Sequence, residues 1–122
     1  MASHVLLIED EPNIAEAIRF ILSRDGWQVS TMTDGIGAAE AVRAARHDLV
    51  ILDLMLPSCS GLEVLEAIRA DPATEAVPVL MLTAKGQGRD REAAERAGVS
   101  RFMTKPFSNA EILASVRELV AR

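Results

Sequence analysis

Three short apolar runs, Val5-Leu6-Leu7-Ile8, Leu49-Val50-Ile51-Leu52 and Val79-Leu80-Met81-Leu82, show no alternation of polar and apolar residues. A strand with one wet face alternates, so these read as strands buried on both faces, the pattern of a parallel sheet covered by helices above and below. Two weaker runs, Val29 to Met32 and Phe102-Met103, bring the expected strands to five. Between them lie segments of helical period. Ile14, Ile18, Ile21 and Leu22 form one apolar stripe, Leu62, Leu65 and Ile68 a second, and Ile112, Leu113, Val116, Leu119 and Val120 a third. Gly35 to Ala45 supplies the second helix and Asp90 to Ala97 a short polar fourth. Pro12 suits a first helical turn, while Gly26 and Gly98 suit C-terminal caps. The reading is therefore (βα)5 in one α/β sheet.

Five βα units account for all 122 residues as a single domain, 1–122, with no repeat or linker between them, so a second domain would lie beyond Arg122. With 49% apolar residues the chain has ample material for a core, which excludes a disordered class. Its net charge of −5 would repel nucleic acid and anionic lipid, leaving proteins and cations as expected partners. Charges interrupt every apolar run well short of the roughly 20 residues that span a bilayer. Cys59, the one cysteine, has no second thiol with which to pair. A cytoplasmic location, with neither membrane nor direct nucleic-acid contact, is expected.

In open α/β sheets ligands collect outside the carboxyl ends of the strands, where the strand order reverses. The first strand runs into Glu9-Asp10-Glu11, the third ends at Asp53, the fourth ends at Thr83, and the fifth is followed by Lys105-Pro106. Each of these alone suits a solvated loop. Together, three carboxylates from adjacent strands would repel one another unless a cation or a lysine neutralised them, and an oxygen-rich set suits Mg²⁺, with Mn²⁺ able to replace it; Lys105, 52 residues past Asp53, is expected to meet an incoming anion beside the metal. Asp10 and Asp53 are the expected direct ligands, Glu9 one acting through water, and a backbone carbonyl near Met55 another. Glu11, at the helix start, is expected only to complement the helix dipole. Pro106 fixes a tight turn behind Lys105, with its isomer left open. A threonine donor, a lysine and a divalent cation around a carboxylate can bind three phosphoryl oxygens while the carboxylate attacks phosphorus in line. Asp53 is then a nucleophile that forms an acyl phosphate.

These residues resemble the receiver domain of two-component response regulators from His4 to about Ala121. The pair Glu9-Asp10, the run Asp53-Leu54-Met55-Leu56-Pro57 with Gly61 eight residues past the aspartate, Leu82-Thr83-Ala84-Lys85 and Lys105-Pro106-Phe107 stand in family order and spacing. The resemblance implies a flavodoxin-like doubly wound sheet of order 2-1-3-4-5. It also implies that Asp53 accepts phosphate from a phosphohistidine on a sensor histidine kinase or phosphotransfer protein. By the same resemblance Glu9 and Asp10 are the Mg²⁺ pair, Lys105 the phosphoryl-binding lysine, Thr83 the hydroxyl that closes on the phosphoryl group, and Phe102 the switch aromatic. Met55 and Lys85 occupy positions that tune phosphoryl lifetime. A downstream target or output domain is expected on the fourth helix, fifth strand and fifth helix. The chain departs from the common pattern at Ser58-Cys59-Ser60, at Gly98-Val99-Ser100-Arg101, and at Ser115, where winged-helix transcription factors tend to carry arginine on a dimer face.

Two other readings share this chemistry or this fold. A haloacid-dehalogenase-type Mg²⁺ phosphatase needs a second aspartate where Met55 stands, and a cap that 122 residues do not supply. A nucleotide- or flavin-binding module needs glycines and backbone donors where this chain has Glu9-Asp10-Glu11-Pro12. Gly86-Gln87-Gly88 is a bare Gly-x-Gly and reads as a loop. His4 and His47 stand apart in sequence and receive no metal role, and Trp27 is expected to be a packing residue at the far edge.

Overall fold

A computed structural model describes residues 3–84 and 88–120. The strands are β1 (His4–Ile8), β2 (Gln28–Met32), β3 (Leu49–Asp53), β4 (Val79–Thr83) and β5 (Arg101–Thr104). The helices are α1 (Pro12–Arg24), α2 (Ala38–Ala44), α3 (Gly61–Ala70), α4 (Gly88–Ala97) and α5 (Asn109–Val120). All strand pairs are parallel and the order is β2-β1-β3-β4-β5, as the resemblance implied. The three runs without alternation are the three central strands.

Alternate residues of each central strand feed two separate cores, because successive side chains point to opposite faces. Val5, Leu7, Leu49, Ile51, Leu80 and Leu82 pack against Ile18 and Leu22 of α1 and Ile112 and Val116 of α5. Leu6, Ile8, Val50, Leu52, Val79 and Met81 pack against α2, α3 and Ala94 of α4. Both layers are thus fixed by strands that the sequence marks as apolar on each face.

Helix boundaries follow local chemistry. Gly26 and Gly98, at φ 94° and 95°, take the left-handed conformation that ends α1 and α4. The second helix starts three residues later than expected, since the Ile36 N–H donates to the Asp34 carboxylate at 2.8 Å and Gly37 turns left-handed at φ 79°. Two capping boxes, Ser60 with Glu63 and Ser108 with Glu111, open α3 and α5. Among the described residues no helix is long and apolar enough to cross a membrane.

Candidate functional site

The strand order reverses at β1, whose connections leave to β2 on one side while β3 lies on the other. The carboxyl ends of β1 and β3 therefore stand at the place where ligands collect in open α/β sheets. Glu9 follows β1 directly, and its N–H donates to the Met32 carbonyl at 2.9 Å, which continues the β1–β2 ladder by one residue. Asp53 is the last residue of β3. Glu9 and Asp53 are buried, at 1% and 3% exposure, whereas Asp10 is exposed. One carboxylate oxygen from each of Glu9, Asp10 and Asp53 lies within 4.8 Å of the others, the only such group of three metal-type ligands among the described residues.

Lys105 crosses this cluster from the end of β5. Its Nζ is 3.1 Å from Glu9 Oε1, 3.2 Å from Asp53 Oδ2 and 3.7 Å from Glu11 Oε1. The bond to Asp53 is a hydrogen bond, while Glu9 Oε1 is near enough for an ion pair but off the line of one, and stays without a hydrogen-bond partner. The Lys105 backbone N–H donates to the Thr83 carbonyl at 2.7 Å, which ties the end of β5 to the end of β4. The Lys105–Pro106 peptide bond is cis.

Burial pushes the Glu9 carboxyl up to about 7; the backbone N–H of Glu11 and the Lys105 ammonium pull it down, and Asp53 raises it further. For Lys105, burial works against the charged form, yet Glu9 and Asp53 outweigh it and hold the ammonium above the usual lysine value. One lysine thus faces a buried pair and an exposed carboxylate. An all-oxygen set with a buried, orphaned oxygen and surplus negative charge fits a hard divalent cation.

Thr83 ends β4, in the strand next to Asp53, and is 2% exposed. The Met55 N–H donates to Asp53 Oδ1 at 3.3 Å, and Met55 is 69% exposed. Phe102 is half-buried on the side of the sheet covered by α4. Lys85, Gly86 and Gln87, and with them most of the Gly-x-Gly segment, lie outside the described residues. The structure therefore brings together Glu9, Asp10, Asp53 and Lys105, with Thr83, Met55 and Pro106 adjoining in chain or sheet.

Glu11 departs from expectation, and the other residues that the sequence singles out take definite places. Glu11 is the N-cap residue of α1 but makes no capping bond, and its carboxylate turns to Lys105 instead of serving the helix alone. Ser115 is 6% exposed, so it presents little to an open face. His4 and His47, distant in sequence, have ring centroids 4.5 Å apart, at the end of β1 remote from the acidic cluster. Gly61 was visible only as spacing; a Cβ there would sit 2.2 Å from the Asp53 carbonyl oxygen, so α3 begins pressed against the backbone of the acidic residue. Cys59 packs on Gly35, and burial with Glu63 and Asp34 nearby raises its thiol, which makes it a poor nucleophile. Trp27 packs in the α1–α5 core and donates its indole N–H to Asp25 at 2.9 Å.

The profile of the response regulator receiver domain matches residues 5–117. The probable transcriptional regulatory protein TcrX of Mycobacterium tuberculosis is 43% identical over 118 residues, 97% of this chain and 50% of TcrX. The DNA-binding response regulator MtrA of Mycolicibacterium smegmatis is 38% identical over 122 residues, 100% of this chain and 52% of MtrA. The chain spans about half the length of the curated relatives it matches. Among solved structures, the receiver domain of the sensor histidine kinase PA1611 of Pseudomonas aeruginosa, with a magnesium ion coordinated in its active site cleft, superposes with a TM-score of 0.92. It is 30% identical, and the match covers 100% of both chains.

Proposed function

The chain belongs to the response regulator receiver domains of two-component signalling, and from that premise we propose that it is a single phosphoacceptor domain, residues 1–122, whose Asp53 takes phosphate in the cytoplasm from a phosphohistidine of a sensor histidine kinase or phosphotransfer protein. The observation that carries the reading is Lys105 Nζ held between Glu9 and Asp53 at 3.1 and 3.2 Å. An ammonium that already balances the nucleophile is placed to meet the charge arriving with a phosphoryl group.

In the reaction an Asp53 carboxylate oxygen forms a bond to phosphorus as the phosphorus–nitrogen bond of the donor breaks. The electron pair of that bond leaves with the imidazole nitrogen. Lys105 turns from the carboxylates to a phosphoryl oxygen, and Thr83 donates its hydroxyl to another. Glu9, Asp10, Asp53 and the Met55 carbonyl are the groups to hold Mg²⁺, with Glu9 acting through water and Mn²⁺ a substitute. Mg²⁺, when bound, supplies charge neutralisation at the phosphoryl oxygens. Attack of water on the acyl phosphate returns Asp53 and inorganic phosphate, and Met55 and Lys85 set how readily that water enters. The domain thus catalyses only its own phosphorylation and dephosphorylation. A second aspartate two positions past the nucleophile, needed by a small-molecule phosphatase, is replaced by the apolar Met55.

An apolar cleft of about 510 Å³ beside Lys105, floored by Ile14, Ile18, Ile21 and Phe107, offers the donor protein a seat against the site. The output partner is assigned to α4, β5 and α5; a groove of about 540 Å³ lies along β5 and α5, with Phe102, Met103, Ala114 and the Arg101–Glu118 ion pair in its lining. The absence of nucleic-acid contact is proposed for this acidic domain alone, since MtrA, about twice as long, is a DNA-binding protein. With acetyl phosphate and Mg²⁺, intact-mass spectrometry should show one added phosphoryl group, stable to acid and labile to base, and Asp53→Asn should abolish it. Undiminished labelling of the asparagine variant would overturn the assignment.

A further inference from the structure

Phe102 of β5 pairs with Met81 of β4, and Thr104 pairs with Thr83. Alternation along both strands puts Phe102 and Thr83 on one face of the sheet as diagonal neighbours, two register positions apart. Inward movement of Thr83 would therefore open space on the side toward Phe102. What holds the ring where it is comes from α4. This helix fully buries a single residue, Ala94, with Ala97 partly buried against the same core, and most of its polar side chains are exposed. Arg91, one turn before Ala94, lays its guanidinium over the Phe102 ring, with Cζ 5.4 Å from the centroid. Glu95, one turn after Arg91, lies 4.0 Å from the guanidinium in an exposed ion pair.

We propose that Arg91 is a positioning residue: its guanidinium holds Phe102 in the half-buried place and so weights the resting arrangement of the phosphoacceptor site through Thr83. This rests on the phosphoacceptor reading above and adds to it a residue that sets how readily the site closes. A cation on an aromatic face at a partly exposed position biases the ring between two places by about two- to fivefold. Loss of that bias raises the fraction of molecules ready to bind a phosphoryl group, and apparent affinity rises by the same factor.

The experiment labels the protein with 4-fluorophenylalanine, whose three sites, Phe20, Phe102 and Phe107, are assigned by single replacement with leucine. In Arg91→Met the fluorine resonance of residue 102 should move, and in Arg91→Lys it should return part of the way toward the parent position. Arginine, lysine and methionine have similar helix propensities, so α4 itself is not perturbed. Arg91→Met should also bind beryllofluoride, with Mg²⁺ present, about two- to fivefold more tightly, and the gain should vanish in the Phe102→Leu background. An unmoved resonance at residue 102, or a gain that persists with Phe102→Leu, would overturn the proposal. Failure of the parent protein to bind beryllofluoride would strike the phosphoacceptor reading instead, and the fluorine resonance would still decide whether Arg91 holds the ring.

Discussion

Raising the pH of the metal-free protein from 5 to 8 should weaken it, and Glu9→Gln should remove most of that dependence. Glu9 is buried beside Asp53, and burial is the main reason its carboxyl rises from 4.5 to about 7 on folding. Below pH 4.5 both folded and unfolded chains hold the proton, and Glu9 does not affect stability. Between 4.5 and about 7 the folded state keeps a proton that the unfolded chain has released, so stability falls by about 1.4 kcal/mol per pH unit. Above about 7 both states are ionised and the full penalty, on the order of 3 kcal/mol, is in place. Glutamine carries no charge to desolvate, but Lys105 then loses one of its partners, which returns part of the gain. A net stabilisation of about 1–2 kcal/mol at pH 8 is expected for Glu9→Gln, with little difference from the parent near pH 5. For a domain of this size that corresponds to a rise of about 4–8 °C in Tm. The assay is thermal melting monitored by far-ultraviolet circular dichroism from pH 5 to 8, in chelator and in Mg²⁺. Mg²⁺ should flatten the parent's slope because a bound cation favours the ionised carboxylates, and it should stabilise Glu9→Gln less. Parallel pH profiles for parent and variant in chelator would refute the reasoning, because they would mean that Glu9 titrates alike in both states.

Two further predictions concern packing and polar anchoring. Gly61→Ala should destabilise by about 1–3 kcal/mol and slow labelling of Asp53 by acetyl phosphate, because the new Cβ meets the Asp53 backbone at 2.2 Å and outweighs alanine's better helix propensity; denaturant unfolding with intact-mass kinetics would show it, and a stabilised variant would contradict the packing argument. Arg69, whose guanidinium donates to the carbonyls of Glu75, Val77 and Gly98 and to the Ser100 hydroxyl, ties α3 to the loops before β4 and β5. Arg69→Ala should lose on the order of 3 kcal/mol in urea unfolding, and a change below about 0.5 kcal/mol would show that these bonds are replaced by water.

The strands, their burial and the position of the acidic residues were legible because each is written locally. An unbroken apolar run marks a central strand, and the first carboxylate after it marks the strand's end, so Glu9, Asp10 and Asp53 could be placed before any contact was known. Once the strand order is 2-1-3-4-5, that placement brings them together. Less legible were the choices made by long side chains. Lys105 reaches Asp53 across 52 positions of sequence and also collects Glu11. Arg69 joins two loops, and Arg117 of α5 pairs with Asp25 beside Trp27, 92 positions away. Arg91 settles on Phe102 and His4 on His47. Periodicity tells which face of an element leaves water, since burial of apolar surface repeats with the backbone's own geometry. It carries nothing about which of many polar atoms a flexible cation will meet, because that depends on separations of a few ångströms and on how much water the packed elements exclude. The sequence alone therefore determined a doubly wound sheet with carboxylates at its central strand ends, and only the tertiary structure decided that one lysine bridges two of them, that those carboxylates raise the pH at which the lysine gives up its proton, and that an oxygen of Glu9 stays without a hydrogen bond.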